Sequence, residues 1–218
     1  MQSPNIFNSA REFSRPGTSL DIHARRAEAH DVKRAKDLIQ SYTTDIFGRI
    51  DREENISYIL EHSIFALTLD NTDSLYALAA FYDYPNIHGV SSNNWEETWW
   101  KNNYVKKDET TKINPINTLF LHFFVAHPDY SEGCAEELIN VTFKALPEIN
   151  QILLCVPHKL TPGLFEVVHF NPLISFSIEN ALEKYFQPIE SERNDAPCTV
   201  LACYRKDHCP TLFIRTAR

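Results

Sequence analysis

Apolar and polar positions alternate in short runs that divide the chain into elements. Residues 1–19 are rich in Ser, Asn, Pro and Gly and show no period, which predicts a flexible N-terminal tail ahead of a domain over 20–218. From Leu20 to Ala27 the apolar positions Leu20, Ile22 and Ala24 alternate, a strand pattern. Asp31 reads as the N-cap of a helix carrying Val32, Ala35, Leu38 and Ile39 at helical spacing. A second amphipathic stretch runs from Arg52 to His62, and Ile46-Phe47-Gly48 between the two reads as a buried turn. Ile64 to Leu69 and Leu75 to Tyr82 predict strands close enough to form an antiparallel hairpin.

Residues 86–114 break the pattern. They are polar and irregular, with the aromatic knot Trp95, Trp99 and Trp100, and predict an insertion or long loop with at most a helical turn. Leu119 to Ala126 is apolar on both alternating faces, which places it at the centre of a sheet covered on both sides. His127 to Gly133 then turns into a helix from Cys134 to Leu146, stopped by Pro147, and Ile152 to Val156 is a second fully apolar strand. Strand, tight turn, helix, strand is a βαβ unit, so these two strands should run parallel. Helical stretches near Gly163 to Phe170 and Ile178 to Tyr185, a polar loop from Glu190 to Pro197, and strands at Thr199 to Tyr204 and Thr211 to Arg215 follow. The expected order is β–α–α–β–β–β–α–β–α–β–β, an α/β protein.

Composition narrows the function. Apolar residues at 43 % and charged residues at 23 % exclude a disordered chain, a collagen or a coiled-coil rod. The net charge of −8 argues against binding nucleic acid through its phosphates, which needs a basic face. No run reaches the length of a membrane span and residues 1–20 lack the core of a secretory signal. Five cysteines, an odd count, suit a reducing compartment, so the expectation is a soluble intracellular protein.

The element order resembles the GCN5-related acetyltransferase fold, a mixed sheet with helices on both faces. Ile22 with Arg26-Ala27 and Asp31-Val32 is similar to that superfamily's first strand and helix cap. A closer resemblance lies in Pro115-Ile116-Asn117-Thr118-Leu119-Phe120-Leu121-His122, Phe124-Val125-Ala126 and Tyr130-Ser131-Glu132-Gly133-Cys134. Lys144-Ala145-Leu146-Pro147-Glu148, Val156-Pro157, Asp83-Tyr84-Pro85-Asn86 and the ending Tyr204-Arg205, His208 and 210–218 add to it. Together, over about 20–218, they resemble the N-terminal domain of the cilia- and flagella-associated protein 61 family. That resemblance implies a structural component of the axonemal radial spoke base, within the calmodulin- and spoke-associated complex, needed for ciliary and flagellar motility. It implies location in cytoplasm, cytoskeleton and axoneme, and partners among radial spoke and calmodulin-associated complex proteins. Separately, Lys101, Lys106 and Lys107 beside the tryptophans form a small basic spot that could meet an acidic partner such as calmodulin or a tubulin surface, although a solvated loop is the commoner explanation. The acidic balance and the absence of a span leave no nucleic acid and no membrane as the expectation.

An acetyltransferase of this superfamily would hold the acetyl-CoA pyrophosphate on backbone N–H groups at the start of its central helix. The superfamily's loop begins with Gln or Arg and continues with Gly and then Gly or Ala; here the slots hold Tyr130, Gly133 and Ala135. From Ile113 to Phe143 there is no Lys or Arg, whereas Asp129, Glu132, Glu136 and Glu137 surround the turn. Carboxylates suit a free helix N-terminus but repel a multiply charged nucleotide. His122 is the one titratable side chain inside the central strand and reads as a core or interface histidine rather than a base. Tyr130 could serve as a general acid but reads as packing over the turn. The expectation is a degenerate, non-catalytic domain without cofactor; the alternative is an active acetyl-CoA-dependent N-acetyltransferase acting on an axonemal protein.

Three further groupings carry alternatives. Trp95, Trp99 and Trp100 either pin the insertion to the domain or anchor a protein partner. Cys198, Cys203, His208 and Cys209 could be drawn as a zinc site, but their spacing is not that of a finger and the expectation is no metal. Cys134, at a helix start, could have a lowered pKa, though nothing supplies it a partner histidine.

Overall fold

The computed structural model describes residues 10–15, 18–48, 50, 52–71, 73–104, 113–157, 181–182, 184–191 and 198–209. Eight strands form one mixed sheet: β1 (Ala10–Arg15), β2 (Thr18–Arg26), β3 (Phe65–Asp70), β4 (Leu75–Tyr82), β5 (Thr118–Ala126), β6 (Gln151–Pro157), β7 (Gln187–Ile189) and β8 (Cys198–Tyr204). Their spatial order is β1-β2-β3-β4-β5-β6-β8-β7. Every neighbouring pair is antiparallel except β5 and β6, which are parallel as the βαβ reading requires. The hairpin of β3 and β4 also forms as expected, with Ala66 opposite Ala80 and Leu69 opposite Ala77.

Helices α1 (Asp31–Asp37), α2 (Ser41–Phe47) and α3 (Glu53–His62) follow β2, a short helical segment Glu96–Asn103 (α4) lies in the insertion, and α5 (Ser131–Ala145) joins β5 to β6. All nine residues of β5 are buried, which fits its two greasy faces. α5 buries Cys134, Ala135, Leu138, Ile139, Val141, Thr142 and Phe143, and also Glu137, which the sequence placed among the carboxylates around the turn. Leu138 and Thr142, then Ala135 and Ile139, repeat at four residues, so one side of the helix supplies the core.

Several elements differ from the sequence reading, each for a local reason. Within the stretch read as a tail, Ala10–Arg15 pairs with β2, Ala10 facing His23 and Arg15 facing Thr18, so a hairpin edge stands where no period was legible. Ile46-Phe47-Gly48 is the end of α2 rather than a turn alone. Thr43 Oγ1 accepts the Gln40 N–H at 3.2 Å at the helix start, and Gly48, at φ 88°, ends it. That backbone angle strains any residue with a Cβ, which explains the glycine. Thr43 is buried, and Thr43→Val should cost about 1 kcal/mol through the lost cap; the midpoint of urea unfolding measures it.

Asp31 is not an N-cap either. It is the first residue of α1, fully buried, and its carboxylate accepts from the Glu28 N–H at 2.9 Å, from Arg25 at 2.7 and 2.8 Å and from Arg34 at 2.6 Å. Arg25 also holds Asp70 on β3 at 2.6 Å. Burial pushes the Asp31 carboxyl up, but the hydrogen bonds from Arg25, Glu28 and Arg34 outweigh it and hold it at about 2. Two arginines and two aspartates thereby tie β2, α1 and β3 together.

The strand β7 and a closing helical turn, Arg205–His208, were not foreseen. β7 is three residues long and carries Pro188, a protected sheet edge. The helix expected near 163–170 and the strand expected at 211–215 lie outside the described residues, as does half of the helix expected at 178–185.

Candidate functional site

β5 and β6 are paired only at their starts: Thr118 opposite Gln151, Leu119 opposite Ile152 and Phe120 opposite Leu153. A buried polar clamp fixes this register. Gln151 Nε2 donates to Asn117 Oδ1 and to Thr118 Oγ1, each at 2.7 Å, and Thr118 is itself bonded to Asn117 at 2.9 Å. Beyond Phe120 the ladder stops and the strands part. On its other side β5 carries a bulge, because Ala80 faces Phe123 while Phe81 faces Leu121, leaving His122 as the extra residue.

At this fork lies a small pocket lined by Ile46, Phe47, Asn86, Phe120, Leu121, His122 and Cys155. The space open to the centre of a water is ≈ 10 Å³, room for about one molecule. α2 fills the rest, its Phe47 ring edge-on to Phe123 at 6.3 Å.

His122 is buried at the bulge. Its Nε2 lies 2.6 Å from the Tyr84 carbonyl oxygen, which can only accept, so Nε2 carries the hydrogen. The ring stacks on Tyr82 at 4.1 Å and meets Tyr84 edge-on at 5.4 Å. Burial lowers its pKa to about 4, against the smaller opposing effect of the Tyr84 bond. At neutral pH it is an uncharged imidazole with its one N–H committed, a weak base for stripping a proton from an amine. Tyr82, deprived of water, is likewise held as a neutral phenol.

The turn after β5 runs Pro128–Tyr130, with His127 Nδ1 accepting the Asp129 N–H at 3.3 Å. Tyr130 packs edge-on against Tyr76 at 5.6 Å and lies tilted against His127 at 5.4 Å, and Asn71 donates to the Tyr76 hydroxyl at 3.3 Å. The three rings form a closed aromatic corner. Gly133 is half-buried in the first turn of α5, and Ala135 faces the core. One base does arrive from a distant segment: Lys184 forms an ion pair with Glu132 across the surface, both ends more than half exposed. Cys134 contradicts the expectation of a lowered pKa. It is fully buried against the Tyr76 carbonyl at 3.9 Å, and burial pushes its thiol up to about 12.

The tryptophans correct the partner-anchor reading. Trp95, Trp99 and Trp100 are 1 %, 3 % and 7 % exposed and pack with Tyr104, Phe120, Leu153 and Val200 in a second core, separate from the main one. Trp95 donates to the Asp83 carbonyl at 2.8 Å and meets Phe120 at 4.9 Å. The insertion is thereby a cover for part of the sheet. Trp99 Nε1 is buried with no hydrogen-bond partner among the described residues. Lys101 beside them pairs with Glu97 and Glu96.

The late cysteines do not converge. Cys198 packs under the tryptophans, whereas Cys203 belongs to the main core, because residues five apart on a strand face opposite sides. Cys203 Sγ is 3.2 Å from His208 Nε2, and His208 Nδ1 is 3.3 Å from Asn140 Oδ1. Among the described residues no group of three ligands gathers for a metal. Sequence reasoning missed Tyr76, Asn86 and Lys184 as parts of these sites; no periodic signal ties residues so far apart in the chain to one turn. No helix of the described residues is long and apolar enough to cross a membrane.

Comparison with known proteins adds the following. A family model described as cilia- and flagella-associated protein 61, N-terminal domain, matches residues 23–218. Among solved structures, the GNAT domain of S. lividans PAT is similar over 84 % of this chain and 90 % of its own, with a TM-score of 0.50 and 9 % identity. A GNAT-family acetyltransferase from Bacillus anthracis is similar over 92 % and 99 %, with a TM-score of 0.46 and 12 % identity. The aminoglycoside acetyltransferase AAC(6')-Ib, solved with coenzyme A, covers 85 % and 95 %, with a TM-score of 0.48 and 14 % identity. The likeness to the S. lividans PAT domain shows the GCN5-related acetyltransferase fold, as the element order implied.

Proposed function

This chain belongs to the cilia- and flagella-associated protein 61 N-terminal domain family, and on that premise we propose that it is a non-catalytic assembly module of the axonemal radial spoke base. Membership gives a ciliary association; the finer reading adds the calmodulin- and spoke-associated complex, and a need for the protein in ciliary and flagellar motility. Its partners are then spoke proteins, with calmodulin and tubulin surfaces as candidates, and its place is the cytoskeleton of the axoneme. In this reading the domain spans 20–218 and carries the insertion at 86–114.

The observation that carries the non-catalytic reading is the turn at Tyr130, Gly133 and Ala135. A coenzyme A pyrophosphate needs exposed N–H groups and cationic or amide neighbours. Here Tyr130 turns into an aromatic corner with Tyr76, and the exposed charged side chains at the turn are Asp129 and Glu132. Among the described residues Lys184 reaches the turn, and it is paired with Glu132. These residues do not fit acetyl-CoA. His122 supports the same reading, since burial leaves it a poor base.

Calorimetry tests this directly. The 218-residue chain should show no saturable acetyl-CoA binding tighter than about 1 mM. A micromolar dissociation constant that Gly133→Asp abolishes would establish the acetyltransferase reading instead. For the assembly role, tomograms of axonemes from cells whose protein lacks this domain should show missing density at the spoke base. Unaltered spokes would refute it.

A further inference from the structure

We propose that His208 is a proton-operated latch: its neutral imidazole fastens the closing turn, Arg205–His208, over Cys203 and against α5, and protonation lets the end of that turn swing out. The contacts of one ring carry this. Its Nε2 lies 3.2 Å from Cys203 Sγ on β8, and its Nδ1 lies 3.3 Å from Asn140 Oδ1 on α5. The ring is tilted against Phe143 of α5 at 5.9 Å and against Tyr185 at 5.7 Å. Three segments far apart in the chain thus meet at one half-buried side chain.

The hydrogen positions follow from the partners. The Asn140 oxygen can only accept, so Nδ1 carries the hydrogen and Nε2 is the bare nitrogen. Burial holds the Cys203 thiol protonated, so its S–H donates to Nε2. A proton added at Nε2 sets two donors face to face, and sulfur is a weak acceptor for the new N–H. It also puts a charged ring between Phe143 and Tyr185, partly cut off from water. The groups facing the ring are the Cys203 thiol from β8, the Asp207 carboxylate from the turn, the Glu136 carboxylate from α5 and the Tyr185 phenol. Lys184 lies over the Tyr185 ring, Arg205 over the Phe143 ring and Lys206 over the Tyr204 ring. Asp207 and Glu136 favour the charged imidazole, but burial outweighs them and lowers His208 below its ordinary 6.5. The closed turn is therefore fully favoured above 6.5 and loses ground as pH falls below it.

The turn is fastened at both ends but titrates at only one. None of its residues is buried, so side-chain contacts rather than core burial hold it down. Arg205 grips its start through the carbonyls of Ile149, Phe143 and Leu146, and a guanidinium keeps its charge as pH falls. His208 grips its end. Losing the second contact leaves the first as a pivot, and the local result is the uncovering of Cys203, fully buried while the turn is closed. Cys134 is as deeply buried but lies against the Tyr76 carbonyl, which does not titrate, so acid has no local means of uncovering it.

The test treats the native 218-residue protein with dipyridyl disulfide, a thiol reagent that stays reactive in acid, and maps the labelled cysteines. Rates are normalised to that of glutathione at each pH. One proton shifts an opening equilibrium by at most about tenfold per pH unit, so between about pH 7.5 and about pH 5.5 the Cys203 rate should rise about fivefold. The Cys134 rate should stay level. His208→Phe should flatten the Cys203 profile. Asn140→Asp sets a carboxylate on Nδ1, favours the charged ring inside the closed turn and should keep Cys203 covered in acid. A ring that merely filled space would answer neither to pH nor to that carboxylate. Tryptophan emission checks that each variant is folded, and either variant decides the matter if the other does not fold. A Cys203 rate that stays level in acid, Cys203 and Cys134 rising in step, or an acid rise retained in a folded variant would overturn the latch.

Discussion

Replacing Arg205 by alanine should lower the unfolding free energy by about 3 kcal/mol, the largest loss expected from a single half-exposed residue here. Arg205 directly follows β8, and its guanidinium donates to three carbonyls: Ile149 at 2.6 Å, Phe143 at 2.6 Å, and Leu146. Phe143 lies in the last turn of α5 and Leu146 is its C-cap, where carbonyls lack helical partners. A cation there also meets the negative end of the helix dipole. The same group lies over the Phe143 ring at 5.2 Å, and the Arg205 N–H bonds the Asn150 carbonyl at 2.8 Å. One side chain therefore joins the end of α5, the approach to β6 and the end of β8. Arg205→Lys should recover less than half of the loss, because an ammonium cannot serve three carbonyls in a planar fork. Urea denaturation measures both variants. A change below about 0.5 kcal/mol for Arg205→Ala would show that water replaces the guanidinium without cost.

A second large effect is a loss of about 3 kcal/mol of stability as pH falls from 6.5 to 4, caused by His122. Its folded pKa is about 4 because burial opposes the charged ring, against an ordinary value of 6.5. Between these values the unfolded chain binds the proton and the folded one does not, so acid favours unfolding. The stability is fully present above 6.5 and the loss is complete below 4. Asp31 moves in a different window. Its folded pKa of about 2 lies below the ordinary 3.8, so its contribution stays intact above 3.8 and is lost only as pH falls toward 2. Urea unfolding at a series of pH values should therefore show a step between 6.5 and 4 that disappears in His122→Phe, while the step below 4 remains. A His122→Phe profile identical to the parent would remove His122 as the cause.

The fork of β5 and β6 shows how far residues alone reach. The apolar run from Leu119 to Ala126 and the helix after it were enough to predict a central parallel pair, since both faces of that strand had to be covered. The bulge at His122 was not legible. It depends on how β4 and β5 align, which no local period records. Tyr130 was read as packing over its turn, and that is where it sits, but Tyr76, its neighbour in space, lies far away in the chain. The tryptophans carried two open readings because an aromatic cluster spaced for a helix looks the same whether it faces a partner or its own sheet. Burial against Phe120, Leu153 and Val200 decided it. Asp31 was recognised as important from its position before a helix, yet its role as a buried charge clamp needed Arg25, Arg34 and Asp70 brought from three elements.

Local order thus follows from the chain itself: where strands and helices lie, that β5 and β6 run parallel, that the turn before α5 lacks cations of its own, and which family the pattern resembles. These depend on spacing and side-chain chemistry within a few residues. The folded arrangement alone decided which charges are paired, that the indoles are hidden and that Lys184 comes to Glu132. Those outcomes depend on distances between segments far apart in the chain, set by sheet register and by the burial that makes each contact strong.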